Sequence, residues 1–134
     1  MLRDFWNTLC IGAGGAVGTM LRFWISGVVA RAFGERFPSG TMVINVTGSF
    51  AIAFFAALTA PEGRWLVNPL PRQVFIIGIC GGYTTFSSFS LQTLNLAREG
   101  QWGYAALNIV LSVVLCLGAV WIGFVAGETL NRGV

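Results

Sequence analysis

The 134-residue sequence has no histidine, no lysine and only five acidic residues. Charged residues make up 10% of it, where an ordinary soluble domain carries about 25%. Each shortage removes a class of function. Without histidine, and with Cys10, Cys80 and Cys116 standing singly inside apolar runs, no CxxC or Cys/His set exists to hold zinc. The three thiols read as small apolar side chains. Ser87, Ser88 and Ser90 have no histidine or lysine to activate them, so no enzyme is expected. The net charge of +3 comes from eight scattered arginines with no basic cluster, so no nucleic-acid partner is expected either. Met1-Leu2-Arg3-Asp4 carries little positive charge, and the apolar run from Phe5 is too long for a signal-peptide core. It reads as a first membrane span, not as a cleavable leader.

What the sequence has in abundance is apolar surface: 55% hydrophobic residues and a mean hydropathy of +0.75. A chain this short cannot bury that much in a soluble core. A membrane-spanning helix needs ~20 mostly apolar residues, and four runs qualify, at about 5–32, 41–60, 74–97 and 104–126. The expected fold is a single all-α transmembrane domain over 1–134. Its joins are marked by turn residues and charge: Gly34-Glu35-Arg36, Pro61-Glu62-Gly63-Arg64 with Pro69 and Pro71-Arg72, and Arg98-Glu99-Gly100. The third run is irregular. Gly81-Gly82 followed by Tyr83-Thr84-Thr85 is poor helix-forming sequence, which predicts a broken helix near 81–85. Non-helical backbone at that depth persists only where protein or a cavity covers it.

Four spans put both ends on one side, with Arg3, Arg64, Arg72 and Arg132. Arg31, Arg36 and Arg98 fall on the other. Arginine bias sets orientation, and here it is nearly absent. The expectation is insertion in both orientations and pairing of opposed copies, an antiparallel homodimer in the lipid bilayer. Gly14-x-x-x-Gly18, Gly78-x-x-x-Gly82 and Gly123-x-x-x-Gly127 supply close-packing faces without specifying which faces meet.

Polar residues inside spans are costly and mark function. Arg22 shares a helix face with Gly14 and Gly18; it either snorkels to tether carbonyls or lends positive potential to an anion path. Thr41, Asn45 and Ser49 form a stripe on the second span. Phe86, Phe89, Ser90 and Thr93 share a face of the third, and Tyr104, Asn108 and Ser112 a stripe of the fourth. Asp4, Glu35, Glu62, Glu99 and Glu128 all lie at ends or joins. A small four-helix multidrug-type exporter, the alternative by size and topology, needs a carboxylate in the membrane. What remains is one arginine, amides, hydroxyls and phenyl edges, which are electropositive, and these suit an anion.

Gly81-Gly82-Tyr83-Thr84-Thr85-Phe86-Ser87-Ser88-Phe89-Ser90 resembles the signature GG(F/Y)TTFS(T/S)FS of the Fluc, or CrcB, fluoride channels. Gly40-Thr41 through Asn45 to Gly48-Ser49-Phe50 resembles that family's GTxxxNxxGSF, and Gly14-Gly15 through Gly18 to Arg22 resembles its GGxxGxxxR. The likeness runs through essentially the whole chain and is least distinctive in the fourth span. It implies a fluoride-specific channel of the bacterial inner membrane, passively exporting fluoride to lower its toxic intracellular level. It also implies a dual-topology antiparallel dimer with two separate pores. Phe86, Phe89 and Asn45 match the family's pore residues. Tyr104 and Ser112 are looser matches, and Ser90, Thr93 and Arg22 complete the expected fluoride path. The carbonyls of Gly81 and Thr84 would hold a structural sodium ion at the dimer axis. Gln92 departs from the glutamate common in relatives.

Overall fold

A computed structural model describes residues 1–61, 63 and 65–132. The roles expected of Glu62 as a join acid and of Arg64 in the charge count lie outside the described residues. Regular structure among the described residues is helical throughout. Helix α1 spans Leu2–Phe33, α2 Ser39–Leu58, α3 Pro69–Gln73, α4 Gly81–Tyr83, α5 Phe86–Arg98 and α6 Trp102–Arg132, with a π-helical stretch at Val74–Cys80 between α3 and α4. Leu2–Phe33, Ser39–Leu58, Pro69–Arg98 and Trp102–Arg132 are long and apolar enough to cross a membrane.

The helices run past the apolar cores read from sequence because their polar ends also favour helix. Asp4 sits in the first turn of α1, where the helix dipole favours an acid. The third span opens with Pro69 in its first turn, where the missing N–H costs nothing. At the end of α6, Arg132 pairs with Glu128 at 2.7 Å, one turn back.

The glycine-spaced faces meet each other within one chain. A Cβ at Gly14 would lie 2.8 Å from the Val74 carbonyl oxygen, and one at Gly78 would lie 2.6 Å from the Ile11 carbonyl oxygen. Gly18 faces the Ile79 carbonyl and Gly82 the Gly15 carbonyl just as tightly. The first and third spans therefore pack backbone to backbone. Gly123 and Gly127 do the same against the Phe50 and Phe54 carbonyls, seating α6 on α2. Gly40 approaches the Ser26 carbonyl oxygen to 2.6 Å by the same measure, closing α2 onto α1. Elsewhere the helices expose large apolar side chains on every side, Phe23, Trp24, Leu117 and Trp121 among them. Such all-round apolarity is what a lipid-facing helix presents.

In the third span the glycines themselves stay helical: Gly81 and Gly82 belong to α4. Extended backbone comes next, at Thr84 (φ −85°, ψ 158°) and Thr85 (φ −153°, ψ 111°). Gly82 is needed for the close approach to Gly15. The β-branched threonines favour the extended form. Thr85 then caps α5, its hydroxyl accepting the Ser88 N–H at 3.1 Å.

Candidate functional site

Asn45 and Ser49 of the α2 stripe face these two extended residues, while Thr41 lines a separate cleft with Phe37 and Gln92. The side-chain amide of Asn45 clasps the backbone of Thr85 from both sides. Oδ1 accepts the Thr85 N–H at 2.7 Å, and Nδ2 donates to the Thr85 carbonyl at 3.0 Å. In an unbroken helix that N–H would go to the Gly81 carbonyl and the Ser88 N–H to the Thr84 carbonyl. Asn45 takes the first and the Thr85 hydroxyl the second. Gly81 and Thr84 thus both lose their helical donors.

Around this point lies a cleft of about 370 Å³. Asn45, Ser49, Thr84, Thr85, Phe86, Phe89 and Ser112 line it, with Cys80 and Cys116 on its wall; no lining residue carries a formal charge. The Phe86 and Phe89 rings sit 5.3 Å apart between centroids and tilted by 46°, so one ring presents its edge obliquely to the other. Phe89 is buried at 9% exposure, whereas Phe86 is 77% exposed.

Four of the residues expected on the path, Asn45, Phe86, Phe89 and Ser112, come together here. Two more follow on the same helix and do not line the cleft. The Thr93 hydroxyl donates to the Phe89 carbonyl at 2.8 Å, and the Ser90 hydroxyl to the Phe86 carbonyl at 2.9 Å. Tyr104 is apart, its ring 6.1 Å from that of Phe37, in a separate cleft with Arg36 and Trp102. Arg22 is half-buried on α1 and does not line the cleft.

Asn108 was visible only as one member of a stripe, yet it is the hub of the polar interior, at 1% exposure. Its Nδ2 donates to the Thr93 hydroxyl at 2.8 Å, and its Oδ1 accepts from Ser112 at 3.4 Å. A chain of hydrogen bonds thus ties α6 through Thr93 to the backbone of Phe89. Its spacing from Ser112 was legible; that Thr93 would be its partner depended on how α5 meets α6.

Residues 9–124, which enclose every residue of this cleft, match the family described as CrcB-like protein, Camphor Resistance (CrcB). The chain belongs to the CrcB family. A protein named fluoride-specific ion channel FluC from Rhodospirillum rubrum is 57% identical over 126 residues, covering 94% of this chain and 98% of the relative. Another of that name, from Opitutus terrae, is 59% identical over 123 residues, covering 92% and 93%. A third, from Paramagnetospirillum magneticum, is 55% identical over 122 residues, covering 91% and 95%. With four helices able to span a bilayer, this CrcB-family chain is a multi-pass membrane protein.

Proposed function

We propose that the chain is a fluoride-specific channel that passively exports the anion across the bacterial inner membrane, working as a dual-topology antiparallel homodimer. The observation that carries the reading is the uncharged cleft in which two phenylalanines, an amide and hydroxyls converge beside Thr84 and Thr85. Fluoride is small and tightly hydrated, so a path must offer close donors in place of water. Phenyl edges and the second Nδ2 hydrogen of Asn45 are donors of that kind. A fixed cationic group would hold the ion too long for conduction. The names of the relatives support the choice of ion. Fluoride enters cells from acidic surroundings as the neutral acid and is trapped as the anion, so a passive anion leak drains it. On this reading the chain is a channel and has no catalytic role.

The proposal includes a broken third span and a structural sodium ion. The carbonyls of Gly81 and Thr84, deprived of helical donors, fit a hard monovalent cation. No carboxylate stands beside them in sequence to recruit a divalent one. Those residues from two opposed copies would hold the ion at the dimer axis as a fastener.

The deciding experiment is anion efflux from liposomes containing the purified protein. Fluoride should leave much faster than chloride under the same gradient. Equal rates, or no efflux of either ion, would reject the reading.

A further inference from the structure

A second cleft, of about 380 Å³, lies where α2 ends at Leu58 and the third span begins at Pro69. Thr59, Pro61, Leu66, Val67, Arg72 and Gln73 contribute to its wall, and Arg72 is the one charged group lining it among the described residues. The guanidinium is held by one edge. Its Nε donates to the Thr59 hydroxyl at 3.2 Å, and that hydroxyl donates onward to the Phe55 carbonyl at 2.7 Å. Thr59 is buried, so the anchor is fixed. Among the described residues nothing else takes the remaining N–H donors of Arg72, rigidly coplanar with the anchored one, and they are left for a ligand.

The surroundings identify that ligand. Trp65 and Leu66, at 58% and 84% exposure, form an apolar pair on the connecting turn beside the cleft. The ends of two spans fix the depth at the bilayer boundary, where tryptophan and arginine side chains anchor membrane proteins. We infer that this cleft binds the phosphate of an anionic phospholipid headgroup, with Arg72 as its ligand and Trp65 and Leu66 seated among the upper acyl chains. A guanidinium grips phosphate oxygens in a two-pronged pair. The Gln73 amide on the same wall adds a neutral donor. A zwitterionic headgroup would carry its own ammonium towards Arg72, and like charge disfavours it. The site depends on the membrane placement alone, not on the ion conducted.

The test is thermal unfolding of the full chain in detergent with added phosphatidylglycerol, phosphatidylcholine or inorganic phosphate. Phosphatidylglycerol should raise Tm more than phosphatidylcholine at equal mole fraction, and inorganic phosphate should not reproduce the shift. R72Q should weaken the apparent phosphatidylglycerol affinity by about tenfold, the scale of one charge-assisted contact. R98Q, at the opposite end of the same span, should leave it unchanged. Where R72Q does not fold, R72K serves instead: it keeps the charge, loses the two-pronged grip, and should bind several-fold more weakly than the wild type. Equal shifts from the two lipids would overturn the inference, as would an undiminished response in R72Q or in its stand-in R72K. A loss in R98Q matching that in R72Q would reduce the effect to bulk charge and overturn it too. A full shift with inorganic phosphate would reassign the cleft to a soluble anion and overturn the lipid.

Discussion

Replacing Asn45 tests the link between fold and conduction most directly. Asn45→Leu keeps the bulk but removes both partners of the Thr85 backbone, the 2.7 Å acceptor and the 3.0 Å donor. A buried polar group left unpaired costs about 1–3 kcal/mol, so the pair sets a range of about 2–6 kcal/mol. Thr85 borders the cleft, so its backbone is not fully enclosed by protein, which places the expected loss near the lower end, about 2 kcal/mol. Thermal unfolding in detergent should show a Tm lower by several degrees, and fluoride efflux from liposomes should fall sharply because the extended pair no longer holds Phe86 in place. Asn45→Asp separates the two effects. It keeps the acceptor for the Thr85 N–H but sets a carboxylate oxygen against the Thr85 carbonyl in place of the donor, so its Tm too should fall below wild type. Its efflux should be the lowest of the three, because a carboxylate in the path repels an anion. An Asn45→Leu protein with wild-type Tm would refute the clasp, and an Asn45→Asp protein with wild-type efflux would refute the path.

Four further outcomes are expected. Phe86→Ile and Phe89→Ile should each cut fluoride efflux strongly, but only Phe89→Ile, at the buried ring, should lower Tm, by about 1–2 kcal/mol of stability; normal efflux in both would remove the rings from the path. Gly18→Ala drives a Cβ into the Ile79 carbonyl and should abolish the folded protein in size-exclusion chromatography, while Gly118→Ala meets open space and should be neutral or slightly stabilising; indistinguishable variants would disprove the backbone-to-backbone contact. A C-terminal reporter should be found on both sides of the membrane, and single-sided signal from the unmodified chain would exclude dual topology. Replacing all sodium with a bulky organic cation should lower efflux and dimer stability together, and unchanged values of both would remove the ion.

The spans were legible because apolar run length is a one-dimensional property, and the absence of carboxylates from them is what suggested an anion path. The stripe Thr41–Asn45–Ser49 pointed to a polar face on α2. That Asn45 spends its amide on the backbone of Thr85 was not readable, because the partner lies 40 positions away and depends on how α2 crosses the third span. The low helix propensity of residues 81–85 marks the irregular stretch but does not say which of them leave the helix. That propensity is visible in sequence, whereas the Gly15 backbone that packs against Gly82 is not. Tyr104 shared a stripe with Asn108 and Ser112, but position 104 lies at the mouth of α6, and its ring turns to Phe37. Helical periodicity gives direction around an axis and says nothing of depth along the groove.

In a bilayer, the exposure of Phe86 is no evidence for a second copy, since lipid covers phenyl rings without cost. The glycine faces offer none either. Gly14, Gly18, Gly78, Gly82, Gly123 and Gly127 are all occupied by helices of the same chain. The argument for the proposed dimer comes instead from polar groups. Asn45 and the Thr85 hydroxyl satisfy Thr85 and Ser88 by diverting donors from Gly81 and Thr84, and so transfer the deficit to two carbonyls midway along the third span. A carbonyl left unpaired within a span costs up to several kcal/mol, and less where it borders a cleft, as Thr84 does. Lipid tails cannot repay that, and no side chain of the chain is hydrogen-bonded to either carbonyl among the described residues. A second copy meeting the first at this point, with the proposed cation shared between the two sets of oxygens, would remove the deficit in both at once. On that proposal the clasp that shapes the cleft would also leave a single copy incomplete, and would tie assembly to conduction through the same two threonines.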